Sequence, residues 1–325
     1  MDSLLTPMLR TFPILILSLL VSRLPAQETA WVTIGDPGNP PDACGFGAVA
    51  YVYEIMKHEV TCAEYVEFLN AKAADDPNGL WQAKMDGAPL PPGQDDIRSE
   101  QGCLIRTGEK GQWKYAVVPG RERLPMVNVS FASAMRYANW KHGGETETGA
   151  YDIASLRAMA TRRPEAKLWL PSEDEWHKAA YYDPAATRYW LYATRSDERP
   201  QSSLPHATLP NVANFFWQDA LKSGMNKGYA LAQSDYYKPG TISLAPVGSY
   251  PASISAYGTL DQSGNVWEWT EGLRWESKRV LRGGSWFDEA NALRSTTRPS
   301  VLPTATYHDT GFRLCRRAIA ASPPP

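Results

Sequence analysis

Histidine and cysteine are scarce in this chain, at five and four among 325 residues. Neither occurs in a spacing that builds a metal or redox centre. There is no C-x-x-C pair, which excludes zinc-ribbon and thioredoxin-like chemistry. The histidines, His58, His142, His177, His206 and His308, show no H-x-x-x-H or H-x-D arrangement. Lysine and arginine form no basic run and the formal charge is −2, which argues against a nucleic-acid partner. Past residue 26 no apolar run is long enough to cross a bilayer, so the chain is not expected to be an integral membrane protein once its leader is removed. No internal repeat or linker divides it, and one domain is expected.

Residues 1–26 read as a signal peptide, with an uncleaved N-terminal anchor as the alternative that Pro13 and Arg23 disfavour. Arg10 supplies the positive region, Phe12 to Val21 the apolar one, and Leu24-Pro25-Ala26 ends in a small residue suited to cleavage. A secreted or periplasmic location follows as an expectation. In an oxidising compartment Cys44, Cys62, Cys103 and Cys315 allow two disulfides, in any of the pairings open to four thiols.

What the chain has in quantity is tryptophan, 12 residues, together with 24 glycines and 26 prolines. Aromatic anchors joined by many turns imply a compact domain of short elements. Trp31 to Ala43 reads as turns, and Gly47 to Ile55 alternates as a strand does. Thr61 and Glu64 form a capping box for a helix with Tyr65, Phe68 and Leu69 on one face. Asp75 to Asp96 has turn chemistry and reads as a surface insertion. Ser130 caps a second helix bearing Ala134, Tyr137, Ala138 and Trp140, and a short helix is predicted near Ile153–Ala160. Leu168 to Leu170 is a short strand before a helix capped by Ser172, again with glutamate three residues on. Tyr189 to Ser249 is turn-rich, while Arg279–Leu281 and Gly311–Cys315 read as strands. The tail, 319–325, is expected to be disordered.

Three blocks carry a resemblance: Gly264-Asn265-Val266-Trp267-Glu268-Trp269, Leu281-Arg282-Gly283-Gly284-Ser285-Trp286 and Gly311-Phe312-Arg313. With Pro125 to Trp140, Leu170-Pro171-Ser172-Glu173-Asp174-Glu175-Trp176 and Ala245 to Pro251, they resemble, in order, the formylglycine-generating or sulfatase-modifying factor family. The resemblance implies a compact α+β, C-type-lectin-like fold over residues 30–318, with short strands and much irregular structure.

It also implies metals. The family binds calcium through side chains at the places of Asp261 and Glu268 and carbonyls at those of Gly264 and Val266, the oxygen set a hard cation takes. A second calcium site would use Asn214, the Phe215 carbonyl, Asp235 and the Tyr237 carbonyl. The family's oxidases hold copper(I) on two cysteines, soft ligands for a soft ion. Those places are Asp288 and Leu293 here, so copper and a catalytic centre are not expected. Ser285 lacks a motif-level base, which leaves a hydrolase without support.

What remains is a groove. In the family, the blocks containing Trp267, Trp269, Trp286, Arg282, Arg294 and Arg313 surround the substrate-peptide cleft, and His308 lies in a loop near it. Trp267, Arg282, Ser285, Trp286, His308 and Arg313 are therefore the candidate ligand-binding residues, with core packing and structural pairing as the other reading of each. The expectation is an exported, calcium-stabilised module that binds a peptide, an exported protein or a glycan, without oxidase activity. A rearranged oxidising centre and a purely structural extracellular domain are the alternatives.

Overall fold

The structure is a computed structural model describing residues 29–87, 101–156, 159–218, 228–234, 236 and 240–318. The predicted leader and tail, and the candidates Asp235 and Tyr237, lie outside the described residues.

Helix starts fall where side-chain chemistry sets them. Thr61 accepts the Glu64 amide at 3.2 Å, and the Glu64 carboxylate takes the Thr61 amide at 2.8 Å, opening α1 (Cys62–Lys72). Ser130 caps α2 (Phe131–Gly143), which Gly144 ends in the left-handed region at φ 88°. Ser172 and Glu175 make a second capping box on α3 (Glu173–Tyr181). The short helix after Gly143 is one turn, Ile153–Leu156.

Two four-stranded sheets position everything else. The first has the order β1 (Trp31–Ile34), β2 (Tyr53–Met56), β8 (Cys315–Arg317), β3 (Leu168–Trp169), all antiparallel. The second has the order β6 (Ser300–Val301), β5 (Lys278–Arg282), β4 (Trp267–Arg274), β7 (Thr310–Gly311), with β4 and β7 parallel. Between β7 and β8 lies Phe312, whose ring is 5.3 Å from that of Tyr137 on α2 and 6.4 Å from that of Tyr65 on α1. The Gly-Phe-Arg block thus links both sheets to both helices. The short strands, three longer helices and extensive irregular structure form the expected α+β fold.

Several expectations need correction. Trp31–Ile34 is a strand rather than turns, because β2 supplies its hydrogen bonds across the pair Val32 and Ile55. The strand expected from Gly47 begins only at Tyr53, since Gly45 and Gly47 sit at φ 90° and 89°. β4, at eight residues the longest strand, carried no alternation to read: Trp267, Glu268, Trp269 and Thr270 are all buried. One disulfide joins Cys62 to Cys103, while Cys44 is an exposed thiol and Cys315 a buried one. Within the expected surface insertion, Leu80 and Met85 are core residues.

Candidate functional site

The loops leaving the second sheet carry the site. Asp261, Gly264 and Asn265 turn the chain into β4 with φ of 64°, 81° and 62°. A Cβ on Gly264 would stand 2.4 Å from the Asn214 carbonyl oxygen, so only glycine allows this approach. The Asn265 amide N–H donates to that carbonyl at 2.8 Å, and its side chain donates to Glu59 at 3.1 Å and accepts from Ala245 at 3.0 Å. The two segments expected to bind calcium therefore meet at one turn.

Next to that turn is a buried excess of negative charge. Glu268 is fully buried and meets Arg313 at 2.7 Å through each oxygen, while the Trp176 indole donates to it at 2.9 Å. Glu59 and Asp261 are the other acidic neighbours of Arg313, and Arg123 also acts on Asp261. Burial, reinforced by Asp261 and Glu268, pushes Glu59 well above the ordinary carboxylate range. Burial raises Asp261 to about 6 even though its oxygen accepts the Gly248 amide at 2.6 Å. One Glu59 oxygen has no partner among the described residues. That orphaned oxygen, with Asp261 beside it, suits a hard cation better than Glu268, whose oxygens Arg313 engages. No group of three or more His, Cys, Asp or Glu able to hold a metal is present among the described residues. At the second expected site the Asn214 side chain donates to the Ser243 carbonyl at 2.8 Å, and the Phe215 carbonyl accepts from Ser202 at 2.5 Å.

The place of the family's thiols is built by the turn after β5. Gly283 and Gly284 have φ of 102° and 77°, and a Cβ on Gly284 would come within 2.7 Å of Leu293. The chain then turns Ser285 inward. Its hydroxyl lies 2.5 Å from Asp288 Oδ2 and 3.0 Å from Asp309 Oδ2, and the Trp267 indole donates to the same Asp288 oxygen at 2.7 Å. Burial raises both acids. Asp288 also takes the Trp267 indole and Asp309 the Thr310 hydroxyl at 3.4 Å, so two buried carboxyls compete for the one Ser285 proton. Leu293 is fully buried with Tyr192, Ala213 and Phe215. An alkyl group in apolar packing and a hydrogen-bonded carboxylate do not fit copper(I).

Four of the six ligand candidates converge here. Trp267 and Ser285 hold Asp288, while Trp286 and His308 form an aromatic wall with Phe287 at ring separations of 5.4 to 5.5 Å. Arg282 and Arg313 do not join them. Arg282 is buried against Glu173 at 2.6 Å and the Ser295 carbonyl at 2.6 Å, and Arg313 is buried against Glu268. Burial opposes ionisation of Glu173, but Arg298 and Arg282 hold its carboxyl below the usual range. Both arginines thus fix the scaffold rather than line a groove, as does Trp269, whose indole donates to the Val129 carbonyl at 2.8 Å. Arg294 donates to the Tyr192 hydroxyl at 3.3 Å. Asp309 and Glu59 were not among the sequence candidates. Glu59 stands two positions before the Thr61 cap and Asp309 two before Gly311-Phe312-Arg313, but neither position by itself marks a ligand.

Residues 48–318 match the sulfatase-modifying factor enzyme 1-like domain. The chain belongs to the sulfatase-modifying factor family. It is 27% identical over 289 residues to a hercynine oxygenase of Mycolicibacterium smegmatis, covering 81% of this chain and 52% of that protein. It is 30% identical over 223 residues to the inactive C-alpha-formylglycine-generating enzyme 2 of Mus musculus, covering 64% and 56%. A formylglycine-generating enzyme of Mycobacterium tuberculosis is 29% identical over 239 residues, covering 67% and 62%. The chain spans about half the length of the first two of these curated relatives. Among solved structures, CarF superposes with a TM-score of 0.56 at 22% identity over 90% of this chain and 99% of its own, a likeness of fold. This sulfatase-modifying factor domain therefore has relatives with oxygenase names and relatives with inactive ones.

Proposed function

We propose that this sulfatase-modifying factor domain is an exported binding or accessory module that does not generate formylglycine. The observation that carries the reading is the replacement of the thiol pair: Asp288 is held by Ser285 and Trp267, and Leu293 is sealed in the core. A resemblance to an inactive formylglycine-generating enzyme supports it. The ligand is a peptide, an exported protein or a glycan that meets the wall of Trp286, Phe287 and His308. Phe287, 43% exposed, is the part of that wall open to contact.

Calcium belongs to the same proposal. Asp261 with the Gly264 and Val266 carbonyls would hold the ion beside Glu59, and the ion would pin loops rather than act in chemistry. Dialysis against a chelator is expected to lower the melting temperature and added calcium to restore it. Melting unmoved by either would remove the ion from the proposal.

The decisive experiment offers the protein copper, oxygen and a Cys-x-Pro-x-Arg peptide, with mass spectrometry for the aldehyde. No aldehyde is expected. Its appearance would sink the binding-module reading. Peptide and glycan arrays test the ligand, and blank arrays would favour a purely structural domain.

A further inference from the structure

The edge of the first sheet and the 162–166 segment border an open cleft of about 500 Å³, within the range of about 300–1,000 Å³ that small-ligand sites occupy. None of its lining residues belongs to the Asp288 centre. Tyr51, Val52 and Pro164 form an apolar wall, and Tyr51 and Val52 are 44% and 41% exposed.

Three arginines line the same space and differ in how they are neutralised. Arg162 is held by Glu175 at 2.9 Å, lies 3.7 Å from Glu271, and packs 4.7 Å over the Trp169 ring. It belongs to the scaffold. Arg163 has Asp152 at 3.5 Å, too long for a good hydrogen bond. Arg317 donates to the carbonyls of Ala166, at 3.2 Å, and Pro164, which orient its guanidinium without cancelling its charge. On the same segment Glu165 and Lys167 are both exposed and offset one another. The three arginines are matched in number by Glu175, Glu271 and Asp152, but Arg317 has no carboxylate partner among the described residues and stands as a fixed positive head beside the apolar wall.

We propose that this cleft binds a small organic anion: a carboxylate, sulfate or phosphate carried on a flat apolar body. Arg317 and Arg163 take the anionic head, whose oxygens match the planar guanidinium fork. Tyr51, Val52 and Pro164 cover the body, removing apolar surface from water. A cation of the same shape meets two guanidiniums and is rejected. The inference does not depend on what the Asp288 centre binds.

Titration calorimetry on the full chain tests it with 2-naphthoate, 2-naphthyl sulfate and 2-naphthyl phosphate, and with 2-naphthylmethylamine as the cationic counterpart. At least one anion is expected to bind tenfold or more tightly than the amine, by about the worth of a hydrogen bond to a charged group. That affinity should fall as salt rises. Which head group binds best distinguishes the sources of the anion. Arg317→Gln and Arg163→Gln are each expected to weaken the best anion about tenfold. Val52→Trp, which fills the mouth without changing charge, should abolish its binding, and melting curves of the variants confirm that they fold. Equal affinity for amine and anions overturns the proposal. So does unchanged anion binding in folded Arg317→Gln or Val52→Trp protein.

Discussion

Arg313 and Glu268 meet at 2.7 Å through two nitrogen–oxygen contacts in a place with no solvent exposure for either side chain. Glu268 stands on β4, and Arg313 lies between β7 and β8, where Nη1 donates to the carbonyls of Met56 and Lys57 and Nη2 donates also to that of Leu260. The pair therefore ties the second sheet to the chain leaving the first. Removing one partner of such a pair strands the other charge, at a cost of about 3–5 kcal/mol. Arg313→Met is expected to lose that much in urea unfolding. Adding Glu268→Gln to it should recover a substantial part. A single variant as stable as the parent would show that water or relaxation reaches Glu268.

Asp261 and Glu271 each contribute stability that falls as pH rises from the acidic side toward neutrality. Burial raises Asp261 to about 6 and Glu271 to about 7, so between their unfolded values, near ~4, and those figures the folded state binds more protons than the unfolded one. The contribution of each is complete below the unfolded pKa and is lost as pH passes the folded one. Glu59 adds to this fall and the depressed His58, His142 and His177 oppose it between pH 5 and pH 7, so the test is the difference between parent and variant melting temperatures in chelator. Glu271→Gln should flatten the part of the slope nearest neutrality. A pH dependence identical in parent and Glu271→Gln protein would contradict the assignment.

The Cys62–Cys103 bond closes a loop with a sequence separation of 41. Tying such a loop in the unfolded chain stabilises the fold by about 3–4 kcal/mol. Replacing both cysteines by alanine should lower unfolding free energy by that order, while Cys44→Ala, at an exposed thiol, should change it little. Equal effects of the two changes would show that the loss is not one of loop closure.

Much of the fold was legible because its cues are local. Thr61, Ser130 and Ser172 cap helices through bonds made within three residues, so spacing alone locates them. β1 was hidden because its partner, Tyr53–Met56, lies some twenty positions away and its own residues read as turns. The site divides the same way. The blocks revealed the turn at Gly264 and the loss of the thiols at Asp288 and Leu293. They could not reveal that Arg282 and Arg313 face inward, since a guanidinium serves a groove or a buried carboxylate equally well. Asp309 reaches Ser285 only through folding, across a separation of 24.

That contact makes a sharp test of protonation. Ser285 lies 2.5 Å from Asp288 and 3.0 Å from Asp309, and the Trp267 indole adds a second donor to Asp288. Burial raises both acids, and Asp309, whose Thr310 donor stands at 3.4 Å against 2.7 Å for the Trp267 donor on Asp288, is expected to take a proton first. An asparagine amide keeps the donor that a protonated Asp309 presents to Ser285. Asp309→Asn should therefore leave stability within about 1 kcal/mol of the parent. Asp288→Asn instead turns an acceptor toward neither the Trp267 nor the Ser285 donor in one amide orientation, and loses the charge in the other, so it should cost more. At neutral pH, a carboxylic-acid carbonyl band that disappears in Asp309→Asn and persists in Asp288→Asn would identify the proton's owner by infrared difference spectroscopy. The reverse pattern, with the band lost in Asp288→Asn alone, would place the proton on Asp288 and reverse the order of the two stabilities.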